Sequence, residues 1–305
     1  MQYFSIKDIE NLTGIKAHTL RIWEKRYNLI ISKRKESNHR FFDNEDLKTI
    51  LRISYLYETE FKISQIAKLS PEAILTYAHI DHSNSKSTEA FILQLINTII
   101  EYDTIEFERV FKSGIKQYGF ERAISEIGYG LLRRIGLLWL TDHLIPAQEH
   151  FASNLIKKFL INAIEHLPAV NDKSSKVVLL FTPIGEFHEI PLLFARWLFK
   201  KNNTRVCYLG SNMDLEDIAY CTSKRKITHL FCHLITNLTG KSFEAYTLEI
   251  LKKFPDQKII ISSSQTKNLK IDSPDLTTFK SLEEMIEYIN NFKNQELHNS
   301  QYLQQ

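Results

Sequence analysis

The chain has 305 residues, 43% of them apolar, with 39 Lys and Arg against 36 Asp and Glu. That length supports two or three cores, but no run approaches the ~18 apolar residues of a membrane span, and the amino end opens on a helix rather than a secretory signal. Cys207, Cys221 and Cys232 make no C-x-x-C, which excludes a disulfide frame or a zinc site and leads us to expect a soluble, cytoplasmic protein with buried thiols.

In chain order, Ser5 is placed to cap a short helix with Ile6, Ile9 and Leu12 at helical spacing, stopped by Gly14. The next run, residues 16–27, puts Leu20, Trp23 and Tyr27 on one apolar face and Lys16, Arg21, Lys25 and Arg26 on the others. Two short helices across a tight turn, the second basic, predict a helix-turn-helix. Residues 32–42 read as a hairpin with Ser37-Asn38 at its tip, a basic wing beside the recognition helix. Eight Lys and Arg against Glu24 and Glu36 give residues 16–40 a net charge of +6. Residues 1–75 net +3 and residues 76–305 net zero, so the excess positive charge lies in the first quarter, where a phosphate backbone would run. A solvated basic helix would supply the charge without the turn and the wing.

Residues 3–70 closely resemble the winged-helix DNA-binding domain of the MerR regulators. HTLRIWEKRY followed by R-x5-R-F-F resembles that family's cobalamin-linked branch of light and vitamin regulators. Family members usually carry Pro where Ser32 stands and Gly-Gly where Ser37-Asn38 stands. With the helix-turn-helix reading, the resemblance places Lys16, His18, Thr19 and Arg21 nearest the bases, and Arg26, Tyr27, Arg34, His39 and Arg40 on phosphate or in the minor groove. A two-fold assembly, a dimer or tetramer, implies an inverted-repeat operator.

Residues 43–58 and 64–69 predict two helices that complete a module over residues 1–75. Residues 76–88 read as a polar linker, where His79 and His82 are solvated rather than ligating. Four amphipathic segments, 91–100, 104–118, 121–140 and 146–167, predict a four-helix bundle over residues 89–170, with Pro146 at a first helical position. Apolar runs at 177–181, 205–209, 227–232 and 258–262, with a fifth strand at 277–279, alternate with helical stretches. They predict a Rossmann-like, doubly wound parallel sheet over residues 171–292, ahead of a polar tail at 293–305. The fold class is thus multidomain, α followed by α/β. His229 and His233 fall four apart on a strand, a spacing that does not bring them together on one metal, and Cys232 beside them reads as core.

Trp139-x9-Glu149-His150 looks like the W-x9-E-H signature of the helical cap over cobalamin in this branch. Glu186-Phe-His188 looks like the E-x-H of the corrinoid-binding sheet domain. The resemblance implies adenosylcobalamin between bundle and sheet, with Trp139 against the adenosyl group and Glu149 and His150 in polar contact. His188 would ligate cobalt and Glu186 would fix its tautomer. Pro191 replaces the motif's Gly, His233-Leu-Ile235 replaces a Ser-x-Leu strand end, and Ser263-Ser264 replace a Gly-Gly pair beside the nucleotide tail. Leu140 stands where light-sensing members have His. The reading is a transcriptional regulator whose C-terminal half senses a cobalamin and controls oligomerisation, with RNA polymerase or a protein antirepressor as further partners. The alternative is a corrinoid-independent regulator whose pocket binds another small molecule or a protein. A corrinoid-dependent enzyme is the remaining reading, and no acid–base pair or partnered nucleophile supports it.

Overall fold

The computed structural model describes residues 3–34, 40–58, 61–79, 87–139, 146–170, 176–235, 241–263, 265–266 and 269–293. The chain divides into two compact units, Met1–Ile156 and Lys157–Gln305.

The first unit begins with α1 (Ile6–Thr13) and α2 (Ala17–Tyr27). Ser5 caps α1 in a reciprocal capping box with Asp8, and Gly14 ends it in the left-handed conformation. The two-stranded wing, β1 (Lys33–Arg34) and β2 (Arg40–Phe41), pairs antiparallel. The tip residues Ser37 and Asn38, and His39, lie outside the described residues. Phe4 and Phe42 exchange two backbone hydrogen bonds of 2.7 and 2.8 Å and bury their rings, so the start of the chain is tied to the exit of the wing. Helix α3 (Asn44–Glu58) buries Leu47, Ile50, Leu51, Ile53 and Leu56, the spacing expected from the sequence. A short α4 (Ile63–Ile66) and an α5 (Pro71–His79) follow. Helix α5 occupies part of the stretch read as linker.

Ser87 caps α6 (Thr88–Glu101), so the polar run 79–88 ends as a helix cap and not as free chain. Helix α7 (Thr104–Tyr118) matches its predicted limits, and α10 (Pro146–His166) has Pro146 as its first residue. The segment read as one helix from 121 to 140 is instead a turn of helix α8 (Phe120–Arg122), a π-helical stretch (Ala123–Gly128) and α9 (Tyr129–Trp139). A π turn inserts residues without breaking the apolar spacing, so periodicity does not reveal it. The core between α6, α7 and the π stretch contains Leu95, Ile99, Phe107, Phe111 and Ile127, all but inaccessible to solvent. Within this unit α3 packs on α6, and α1 on α9.

The second unit is a parallel sheet in the order β4-β3-β5-β6-β7, formed by β3 (Val177–Pro183), β4 (Arg205–Met213), β5 (His229–Leu234), β6 (Lys258–Ser263) and β7 (Leu276–Phe279). The predicted fifth strand is β7. The crossovers are α11 (Ile190–Lys201), α12 (Leu215–Lys224) and α13 (Phe243–Lys253), with α14 (Leu282–Asn290) following β7. Alternate residues of β3 serve opposite faces. Leu179 and Phe181 pack with Ile218 of α12 and Tyr246 and Ile250 of α13, while α11 packs with α14 on the other side. Both faces are therefore covered, the doubly wound arrangement that the strand–helix alternation predicted. The order reverses between β3 and β5, and such a switch point opens a crevice at the carboxyl ends of the two strands. Cys232 is buried as expected. Cys207 and Cys221 are only half-buried and lie with their sulfurs 3.9 Å apart, so the expectation of buried thiols is corrected at these two positions.

Candidate functional site

The recognition helix α2 buries Leu20 and Trp23 and leaves Lys16, His18, Arg21, Lys25 and Arg26 exposed, with Thr19 and Tyr27 half-buried. The guanidinium of Arg26 lies 5.5 Å from the centre of the Tyr27 ring. Glu10 accepts from the backbone N–H of Ala17 at 3.0 Å and pairs with Lys16 at 3.4 Å, so it fixes the start of α2. The Ala17 amide, Lys7 and Lys16 hold its carboxyl down to about 2. Ser32, which stands where the family usually has Pro, donates both its backbone N–H and its hydroxyl to Glu24 of α2. Proline could make neither bond, so this chain joins wing to recognition helix by a different device. Lys33 does not add to the free positive surface: Asp43 and Asp46 at the start of α3 both pair with it. Arg34 and Arg40 are backbone register partners in the β1–β2 ladder.

In the same unit Trp139 is the last residue of α9. Glu149 lies in the first turn of α10, where it accepts from the Ser153 hydroxyl and stands 3.7 Å from the exposed ring of His150. Leu140 lies outside the described residues.

In the second unit the switch point is occupied by the loop after β3. Glu186 is wholly buried there. Its Oε1 accepts from the His188 backbone N–H at 2.9 Å and from His188 Nδ1 at 2.5 Å, and its Oε2 accepts from the Ile235 backbone N–H at 2.7 Å, just past β5. One carboxylate thus ties the ends of β3 and β5 together and orients the histidine. With Nδ1 donating, the ring's lone pair lies on Nε2. Two residues that the sequence did not single out support the loop. The Thr182 hydroxyl donates to the Glu186 carbonyl at 2.6 Å, and Asn212 accepts from the Gly185 N–H at 2.9 Å. Thr182 and Asn212 are single polar residues near the ends of β3 and β4, where apolar spacing carries no signal for them, and Asn212 is 27 positions from its partner, so spacing alone could not find them.

Pro191 falls in the first turn of α11, where its missing N–H has no intrahelical acceptor to lose, so this departure from the motif costs the helix no hydrogen bond. His233 on β5 is 9% exposed, neither ring nitrogen has a hydrogen-bond partner among the described residues, and burial pushes its pKa down to about 4. Ser263 ends β6, buried, its hydroxyl accepting from the Gln265 N–H at 3.2 Å; Ser264 lies outside the described residues. Among the described residues no three His, Cys, Asp or Glu side chains cluster as a metal site.

Residues 4–73 match the family model described as MerR HTH family regulatory protein, and residues 92–162 match that of the B12 binding domain. The chain is 30% identical over 125 residues to the uncharacterized HTH-type transcriptional regulator YyaN of Bacillus subtilis, covering 41% of this chain and 86% of that one. The chain belongs to the MerR family of transcriptional regulators. It is also 22% identical over 258 residues to the HTH-type transcriptional repressor CarH of Myxococcus xanthus, covering 83% of this chain and 85% of the relative. A MerR domain joined to a B12-binding domain places it in the CarA/CarH-like group, and it is a DNA-binding transcriptional regulator. The monomethylamine corrinoid protein of Methanosarcina barkeri shares the fold, with a TM-score of 0.51 at 13% identity over 68% of this chain and all of that one.

For this MerR regulator, the residues at the switch point suit a corrinoid. His188 offers Nε2 from a side chain 54% exposed, and the large apolar side chains around it, Ile184, Phe187 and Ile235, are 52%, 66% and 47% exposed. An oriented imidazole within an exposed apolar rim matches a metal in a broad, largely apolar macrocycle. No helix among the described residues is long and apolar enough to cross a membrane.

Proposed function

We propose that this MerR-family protein binds an inverted-repeat operator as a dimer or tetramer. Its C-terminal half binds a cobalamin, adenosylcobalamin in the first instance, and occupancy changes protomer association and hence operator affinity. The observation that carries the ligand assignment is the buried Glu186 holding His188 at the carboxyl edge of the sheet.

On the DNA, α2 lies in the major groove with Lys16, His18, Thr19 and Arg21 toward the bases, while Arg26, Tyr27 and the wing residues Arg34, His39 and Arg40 hold the backbone or minor groove. On the ligand side, His188 supplies Nε2 to the cobalt and Glu186 keeps the tautomer and raises the basicity of the ring. Trp139, Glu149, His150, Ser263 and Ser264 are the remaining ligand residues by family resemblance. When bound, the cobalamin supplies a carbon–cobalt bond whose presence or loss can distinguish two states of the regulator.

The names of the relatives, CarH a transcriptional repressor and the Methanosarcina protein a corrinoid protein, support the DNA and corrinoid parts respectively. Purified protein mixed with adenosylcobalamin in the dark is expected to retain a corrinoid spectrum after gel filtration, and His188→Ala to lose the axial-imidazole signature. Failure to retain any corrinoid at saturation overturns this part and leaves the DNA-binding part standing. It would favour the second reading, regulation by another small molecule or a protein partner. The buried His233 and Ser263 support that reading, because they fill space at the ends of β5 and β6 that smaller residues would leave open.

A further inference from the structure

At the edge of the sheet opposite His188 lies a cleft of about 560 Å³, lined by Arg196, Lys200, Arg205, Lys224, Arg225 and Lys226. Among the described residues no carboxylate lines it. Val177 and Arg205 open β3 and β4, and α11 and α12 end beside them at Lys201 and Lys224. We propose that this cleft binds a phosphorylated nucleotide of the nucleoside-diphosphate class, at a site separate from the one assigned to cobalamin.

Part of this charge has a structural role. The Lys200 ammonium donates to the Ile164 carbonyl at 2.7 Å, near the carboxyl end of α10, and Lys224 closes the last turn of α12, where a cation offsets the helix dipole. Arg196 stands 4.0 Å from Glu165 with its guanidinium 4.9 Å from the centre of the Tyr208 ring. These roles do not account for Arg225 and Lys226, which follow α12, are exposed and have no ion-pair partner among the described residues. Arg225 and Lys226 thus add uncompensated positive charge to a concavity that other cations already line, and a multiply charged anion offsets that charge while forming charge-assisted hydrogen bonds.

The lining is also two-sided. Val170, Val177 and Val206 form an apolar wall that suits a base or sugar, while the cations suit a di- or triphosphate. Thr204 lines the same cleft, is 1% exposed, and its hydroxyl has no hydrogen-bond partner among the described residues. A buried hydroxyl without a partner is costly, and a small shift toward a bound phosphate would satisfy it. The concave shape favours a small ligand over a duplex, which would need a convex or open basic face.

The test is titration of the full-length protein with a fluorescent N-methylanthraniloyl ADP, with ADP and inorganic pyrophosphate as competitors. The expected result is saturable binding displaced by both competitors. The Arg225→Ala/Lys226→Ala variant, whose changes are on the surface, should weaken it at least tenfold and leave the affinity for duplex DNA unchanged. Thr204→Val should weaken it a few-fold. Absence of saturable binding overturns the proposal. So does binding that survives Arg225→Ala/Lys226→Ala, or binding that duplex DNA displaces and Arg21→Ala abolishes, since it would then belong to the recognition helix. Loss of corrinoid binding in a separate assay has no bearing on these outcomes.

Discussion

Arg134 and Leu12 stand 122 positions apart in the chain, yet Nη1 of the arginine donates to the leucine carbonyl at 2.9 Å. The same guanidinium pairs with Glu89 at the start of α6. Helix α9, which ends at Trp139, therefore holds the end of the first helix of the helix-turn-helix. Removing the guanidinium by Arg134→Ala leaves a carboxylate and a carbonyl without their donor. The expected loss is about 1–3 kcal/mol in the unfolding of the N-terminal unit, read from urea denaturation. If α9 also relays ligand state, this variant keeps its operator affinity but shows a smaller change on addition of adenosylcobalamin.

Gly14 has φ +74°, and a Cβ there would stand 3.1 Å from Arg134 Nη2 and 3.3 Å from Glu89 Oε1. Gly14→Ala combines left-handed backbone strain with pressure on that ion pair. It should destabilise the unit by about 1–3 kcal/mol. Because the two positions touch, the double variant with Arg134→Ala should lose less than the sum of the single losses in the same urea assay.

Glu58 is the second carboxylate near this arginine. Burial and the charge of Glu89 push its carboxyl up, and Arg134 only partly opposes them. The folded state thus binds this proton more readily than the unfolded chain, so stability falls as pH rises through and above the ordinary Glu range. Glu58→Gln should raise the urea midpoint at pH 7, and the gain should vanish at pH 4. A midpoint unchanged at both values would show that Glu58 is not strained.

How much of this was legible in the sequence differs by element. Helices α2, α6 and α7 and the strands of the sheet follow from apolar spacing, because each buries a continuous face that spacing reports directly. The role of Ser32 was not legible, since its partner Glu24 is eight residues away on another element. Nor was the pairing of Lys33, because a count of charges in a window cannot register that Asp43 and Asp46 neutralise one of them. The basic cleft was hidden for the same reason: its cations come from separate crossovers and only folding brings them together. Glu186 and His188 were legible as a motif. Their connection to the Ile235 backbone depends on the sheet order, which local sequence does not encode.

His229 and His233 both lie on β5, and burial pushes each down to about 4; Lys176 and Lys258 add to the shift at His229, while Glu186 opposes it at His233. The unfolded chain takes up these protons near pH 6.5, the folded chain only near pH 4. Their contribution is full above pH 6.5 and is lost as pH falls toward 4, at about 1.4 kcal/mol per pH unit for each histidine. The stability of the C-terminal unit, followed by urea denaturation between pH 7 and 5, should decline accordingly. His233→Asn should reduce the slope by one proton. A pH-independent midpoint over that range would contradict it.

Arg21→Ala should reduce discrimination between the operator and scrambled duplex by about 1–3 kcal/mol. Arg26→Ala and Arg40→Ala should weaken both duplexes alike. Competitive gel shifts with the two duplexes separate these outcomes, and equal weakening of both by Arg21→Ala would remove it from the bases.

The most direct measurement is fluorescence anisotropy of a pooled random-sequence duplex titrated with the full-length protein across a salt series beginning at about 50 mM. The account predicts binding whose logarithm falls linearly with the logarithm of salt, with a slope made shallower by about one unit in Arg26→Ala. No binding to any duplex at the lowest salt, or binding that does not respond to salt, would contradict the assignment of residues 4–73 as the DNA-gripping part of this regulator.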